Sequence, residues 1–227
     1  MSGGAVHGDG LLLDLDGVVW IGGRPLPGVP EVLRRFRGRG VPVLFLTNDP
    51  RGSREEYAAQ LTASGIPATA EEVLTSSRAA AQLVADREPP GTAVLVVGSP
   101  ALHAEARAAG LRVIDPRRPR AAGAVLLGGH ESFDYAQLAA ITLAAHAGAR
   151  LYATSRDATF PGPEGPRPAT GALLAAVEAA TGASPPSLAS PSRACSPPPA
   201  SCCPTPGTWS WSVTAWTPTS PAPAPRA

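Results

Sequence analysis

Over residues 11–87 short apolar runs alternate with stretches whose apolar positions recur at helical spacing, the pattern of an α/β domain with a parallel sheet. Residues 11–17, Leu-Leu-Leu-Asp-Leu-Asp-Gly, read as a buried strand ending in a turn. In residues 30–38, Val32, Leu33 and Phe36 share one helical face, and Gly40 closes that helix. Residues 41–47 predict the next strand. Ser53 followed three residues later by Glu56 is a capping box, opening a helix that carries Tyr57, Ala58 and Leu61 and stops near Gly65. A second rhythm follows, with strands predicted at 93–97, 124–127 and 151–154 and helices at 100–109, 135–147 and 170–181. That stretch is long enough for a layered unit of its own. After about residue 183 the periodicity gives way to Pro, Ser, Cys and Thr, which predicts a disordered tail. Trp209, Trp211 and Trp216 sit badly with that composition, because aromatics are scarce in disorder.

Composition narrows the picture in three ways. At 227 residues and 44% hydrophobic content, the chain can bury the core of one large or two modest globular domains. A formal net charge of +1, with both signs interspersed, excludes the basic face of a nucleic-acid or anionic-membrane binder, so any anion must be held locally. The first ten residues lack a charged segment followed by an apolar stretch, and no apolar run reaches membrane-spanning length, so a cytoplasmic location is expected. Cys195, Cys202 and Cys203 are too irregularly spaced for zinc and odd in number for disulfides. His7, His103, His130 and His146 do not cluster in sequence, and surface or structural roles are expected for them. Every basic side chain is arginine, which points to a GC-rich gene.

The strongest chemical signal is Asp14-Leu15-Asp16-Gly17, directly after an apolar strand. Two carboxylates there stand at the sheet's carboxyl edge, where open α/β sheets bind ligands. One can attack phosphorus and split the transfer into two easier steps. The other can protonate the leaving oxygen and later activate water. Their mutual repulsion calls for a hard divalent cation, and Gly17 lets the backbone turn tightly toward a phosphate. A lone Asp-x-Asp-Gly is also how an ordinary strand ends in two solvated aspartates. The second apolar strand, ending in Thr47-Asn48, adds a hydroxyl and an amide at the same edge, although turn or cap chemistry accounts for those residues equally well. The two strand ends together are more specific than either.

On these residues the chain resembles the haloacid dehalogenase superfamily, in the phosphatase branch with a large α/β cap (subfamily IIA, 4-nitrophenylphosphatase- and phosphoglycolate phosphatase-like). The matching text is Asp14 to Trp20, then Leu46-Thr47-Asn48-Asp49 with Ser53-Arg54-Glu55-Glu56-Tyr57. Further matches are Phe133-Asp134-Tyr135 with Leu138, Tyr152-Ala153-Thr154 with Asp157, and Gly171-Ala172-Leu173-Leu174 closing at Thr181-Gly182. The resemblance spans roughly residues 11–182. It implies a Rossmann-like core with a parallel sheet and an inserted α/β cap, divided as core 10–78, cap 79–183, and a remainder of the core at 184–227. It also implies Asp14 as nucleophile and metal ligand, Asp16 as general acid/base with its backbone carbonyl on the metal, and Gly17, Thr47 and Asn48 at the phosphate. Mg²⁺ is the implied cofactor and a small phosphorylated metabolite the implied partner, with a homodimer through the cap left open. Asp49 stands where the family commonly has asparagine. Ser155-Arg156 replaces the usual asparagine before Asp157, which bears on cap-side substrate contacts. Asp134, Asp157 and Arg156 are candidates for such contacts or for solvated surface charges.

The family also uses a lysine in a Gly-Lys-Pro segment and an acidic motif of the form Gly-Asp-x-x-x-Thr-Asp, and the chain as written has neither. The codons underlying residues 212–225, read from two bases in, admit Gly-Asp-Arg-Leu-Asp-Thr-Asp-Ile-Ala-Gly-Ala-Arg. One step there is forced, since the single tryptophan codon at Trp216 ends in G and the next begins AC, giving GAC for aspartate. Trp209 and Trp211, each followed by a serine, give valines in the same offset, a Val-x-Val strand before the motif. Residues 187–191 in that offset admit Pro-Gly-Lys-Pro. Both missing motifs therefore recur in one frame and in family order, and the tail reads as a frameshift near residues 183–187. The expected function is Mg²⁺-dependent hydrolysis of phosphate monoesters, the alternative an inactive remnant that keeps the fold, and a third class a phosphotransferase to an alcohol acceptor.

Overall fold

Among the described residues most parallel strands are followed by a helix that returns the backbone to the same sheet edge, so strand ends carrying polar residues collect on one side. The computed structural model describes residues 10–162 and 164–182. In chain order its strands are β1 (Leu11–Asp14), β2 (Trp20–Ile21), β3 (Arg24–Pro25), β4 (Val43–Thr47), β5 (Val73–Thr75), β6 (Ala93–Val97), β7 (Arg112–Val113), β8 (Ala124–Leu127), β9 (Arg150–Ala153), β10 (Thr159–Gly162) and β11 (Gly165–Pro168). The helices are α1 (Val29–Gly38), α2 (Arg54–Ala63), α3 (Ser76–Arg87), α4 (Pro100–Ala108), α5 (Tyr135–His146) and α6 (Thr170–Thr181). No helix among the described residues is long and apolar enough to cross a membrane. The expectations for the tail, including those for the three cysteines and for a frameshift, lie outside the described residues.

Strands β1, β4 and β5 form a parallel sheet in that order, with Leu11 opposite Val43 and Asp14 opposite Leu46. The pairing continues past β1 through the Leu15 amide, which donates to the Leu46 carbonyl at 2.9 Å. Residues 14–17 and 47–51 are thereby neighbours in space. Leu15, Val19, Phe45 and Leu61 are fully buried beneath them, and removing each such side chain from water contributes about 1.5–3 kcal/mol. Residues 11–14, read from sequence as a buried strand, are only half-buried, because β1 is an edge strand among the described residues. Ser53 caps α2 as expected: its hydroxyl accepts from the Glu56 amide and the Glu56 carboxylate accepts from the Ser53 amide, at 3.1 and 2.8 Å.

The second sheet is all parallel, ordered β7-β6-β8-β9. Its central strands Ala-Val-Leu-Val-Val and Ala-Val-Leu-Leu are buried throughout, as continuous apolar runs covered on both faces should be. One face packs with α5 and α6 through Ile141, Leu174 and Val177, the other with α3 and α4 through Val84 and Leu102. Two short hairpins were not expected. In β2–β3 the turn is Gly22-Gly23, both at positive φ (55° and 76°), the conformation that a two-residue hairpin turn selects.

The two sheets are tied together around the loop after β4. The Pro50 carbonyl accepts the hydroxyls of Ser77 on α3 and Ser99 at the start of α4, at 3.0 and 2.6 Å. Glu105 of α4, mostly buried, pairs with Arg54 of α2 at 2.7 Å and with Arg78 of α3 at 3.2 Å. The loop that follows the second strand end is thus held from the side of the second sheet.

Candidate active site

Asp14 is the last residue of β1, and Asp16 stands in the turn that follows. The Trp20 indole nitrogen donates to Asp16 Oδ1 at 3.1 Å, while the Gly17 amide closes the turn on the Trp20 carbonyl at 2.8 Å. Gly17 has φ of 84°, a left-handed conformation that a side chain would strain. Both carboxylates titrate above their ordinary range. Burial is the main cause for Asp14, followed by the charge of Asp16. For Asp16 burial again dominates and is opposed by the Trp20 hydrogen bond, with Asp49 raising the value and Arg51 lowering it. Two neighbouring oxygen donors of like charge fit a hard divalent cation, which would offset their repulsion. Among the described residues no group of three His, Cys, Asp or Glu side chains forms a metal-holding cluster.

These shifts make a stability prediction. A carboxyl whose pKa is raised by folding favours the folded state when protonated, and that advantage is lost as pH rises from the ordinary value of 3.8 through the raised one. In metal-free buffer Asp14→Asn should therefore raise Tm at pH 7, with the gain shrinking toward pH 4. Differential scanning fluorimetry in chelator checks it. A gain that grows on acidification would contradict the raised value.

Asp14, Asp16 and Gly17 line a cavity of about 640 Å³ that opens between the two sheets. Asn48 lines it too, its amide donating to Asp157 at 2.8 Å across 109 positions of sequence. Thr47 is not part of the cavity wall: it is buried, and its hydroxyl accepts from the Asp49 amide at 3.1 Å. Of the other candidates, Asp157 and Ser155 reach the cavity, Asp134 caps α5 through the Gln137 amide at 2.8 Å, and Arg156 pairs with Glu178 at 3.0 Å.

The rest of the wall was missed in the sequence. Arg51 binds Asp49 through two nitrogens, both at 2.8 Å, and stacks over Phe160 with its guanidinium carbon 4.4 Å from the ring centre. His130 lines the cavity with its ring held by the Gly128 carbonyl and the Gln137 side-chain oxygen, at 3.1 and 3.0 Å. Thr170, buried at the start of α6, accepts from the Gly129 amide at 2.8 Å and contacts the Thr154 hydroxyl at 3.2 Å. Gly171 lets α6 approach the Asp157 loop, for a Cβ there would collide with the Arg156 carbonyl oxygen. The available signals were weak: Arg51 follows Asn48 by three positions, and Gly171 lies in a segment already matched to the family.

An aspartate pair at the carboxyl end of a parallel strand, facing a cavity roofed by a second α/β layer, defines a Rossmann-like protein with a carboxylate-centred site. A family model described as haloacid dehalogenase-like hydrolase matches residues 11–112. The acid sugar phosphatase of Staphylococcus haemolyticus is 32% identical over 182 residues, covering 80% of this chain and 68% of that protein. The chain belongs to the haloacid dehalogenase-like hydrolases. The D-glycerol 3-phosphate phosphatase of Mycobacterium tuberculosis is 40% identical over 177 residues, covering 78% of this chain and 49% of that protein. The crystal structure of glycerol phosphate phosphatase from that organism in complex with magnesium superposes with a TM-score of 0.74 at 39% identity, covering 79% of this chain and 53% of that one. The chain therefore spans about half the length of these last two relatives.

Proposed function

We propose that this protein is built to hydrolyse small phosphate monoesters with Mg²⁺ through an aspartyl-phosphate at Asp14. The observation that carries the reading is the juxtaposition of Asp14, Asp16 and Asn48 on one cavity at the carboxyl ends of β1 and β4. In this reading an Asp14 carboxylate oxygen attacks phosphorus, the ester P–O bond breaks, and Asp16 gives its proton to the departing oxygen. Asp16 then takes a proton from water, which attacks the aspartyl-phosphate and frees inorganic phosphate while Asp14 is regenerated. The raised Asp16 pKa suits a group that must hold a proton and return it. Asn48 donates to a phosphate oxygen once released from Asp157, and Thr47 acts through its grip on the loop. Mg²⁺ would sit on the Asp14 carboxylate and the Asp16 carbonyl, supplying charge neutralisation for the phosphoryl group. The unit of residues 79–183 acts as the cap that excludes water. A small phosphorylated metabolite as substrate, a cytoplasmic setting and pairing of two copies through the cap belong to the same proposal.

The incomplete ligand set favours a second reading, an inactive remnant, for the chain as written. The frameshift reading reconciles the two: the native gene encodes the lysine and the acidic motif, and residues after about 183 are its out-of-frame text. The half-buried apolar edge of β1 supports it, because Leu11, Leu12 and Leu13 form a strand edge that is unpaired among the described residues and on which a further parallel strand fits. With the frame restored, 4-nitrophenyl phosphate should be hydrolysed in Mg²⁺ and at least about 100-fold more slowly in chelator. An undiminished rate in chelator would sink the metal part of the mechanism.

A further inference from the structure

The cavity holds a second charged centre away from the aspartate pair. Glu131 Oε1 lies 3.1 Å from Arg167 Nη1 and 3.6 Å from Arg51 Nη1, so two guanidiniums share one carboxylate oxygen. Phe160 fixes their spacing, its ring centre 4.4 Å from the Arg51 guanidinium carbon and 5.9 Å from that of Arg167, both within cation–π range. All four side chains line the cavity that contains Asp14 and Asp16. Arg51 is already neutralised by Asp49, whereas the Arg167 carboxylate partner is Glu131, whose side chain is 61% exposed. Exposed ion pairs hold weakly, so an incoming carboxylate can displace Glu131 and leave the charge on the arginines balanced as before.

We propose that Arg167, seconded by Arg51, forms a carboxylate subsite that selects phosphate monoesters bearing a carboxylate away from the phosphate, with Glu131 as its occupant in the free protein. This rests on the reading of the Asp14 end as a phosphate site and adds the class of substrate. Arg167 would be a specificity residue, touching the distal group and taking no part in bond breaking.

The test compares 3-phosphoglycerate with glycerol 3-phosphate, which differ by a carboxylate in place of a hydroxymethyl group. Their binding to the full 227-residue chain in Mg²⁺ is measured by ligand-observed NMR titration, which reads millimolar affinities. The expected result is at least about tenfold tighter binding of 3-phosphoglycerate. Arg167→Met should bring 3-phosphoglycerate to the level of glycerol 3-phosphate while leaving the latter within about twofold, and Glu131→Gln should tighten 3-phosphoglycerate alone by removing its competitor. Equal Kd values for the two esters, or a ratio unmoved by Arg167→Met, overturn the subsite while the phosphate reading stands. Binding of neither ester, to this chain and equally to the frame-restored Asp14→Asn protein, overturns both.

Discussion

In the frame-restored protein, Asp14→Asn should lower kcat by at least about 10⁴-fold, with KM within about threefold of the parent. The substitution keeps the size of the side chain and removes the nucleophilic oxygen charge. In the proposed mechanism substrate would still be held by Asn48 and the remaining wall, so the loss should fall on the chemical step. Misfolding is separable from chemistry here, because the metal-free variant should be more stable than the parent at pH 7, relieved of a partly buried charge beside Asp16. Steady-state assay with 4-nitrophenyl phosphate, paired with the melting curve, reads both. A variant as active as the parent would remove Asp14 from the mechanism.

Restoring the frame is the second large effect: kcat/KM should rise at least about 10³-fold over the 227-residue chain, under the same Mg²⁺ concentration. The lysine would neutralise charge shared between nucleophile and phosphate. The aspartates would complete the ligand set that the proposed mechanism begins with Asp14 and Asp16. The restored Val-x-Val segment would also cover the open edge of β1, so Tm should rise with activity. Equal activity and equal Tm for the two chains would mean that the tail as written is native and that the site is complete without those motifs.

Much of the fold was legible because its signals are local. The capping box at Ser53 and Glu56, the doubly covered strands β6 and β8, and the helices α5 and α6 follow from periodicity and cap chemistry within a few residues of their positions. The β2–β3 hairpin escaped because strands of two residues leave no alternation to read, although Gly22-Gly23 carried the turn signal. β5, at three residues, was too short for the same reason. The acidic pair could be found since strand and turn place both carboxylates from one segment. The opposite wall could not: Asn48 meets Asp157 across 109 positions, and Arg51 meets Phe160 only once the second sheet is docked on the first. His130, expected to be structural or superficial, lines the cavity while its ring makes structural hydrogen bonds. Burial of β1 was overestimated because a run of leucines reads alike at an edge and in a sheet's centre.

In the proposed mechanism Asp14 carries the phosphoryl group. Peptide mass spectrometry of the frame-restored protein, quenched in acid during turnover of a phosphate monoester, reads that directly. The expected result is one phosphoryl group on the peptide containing Asp14, located at that residue and missing from Asp14→Asn. Full turnover with that peptide unmodified, or a phosphoryl group on another residue, would contradict it.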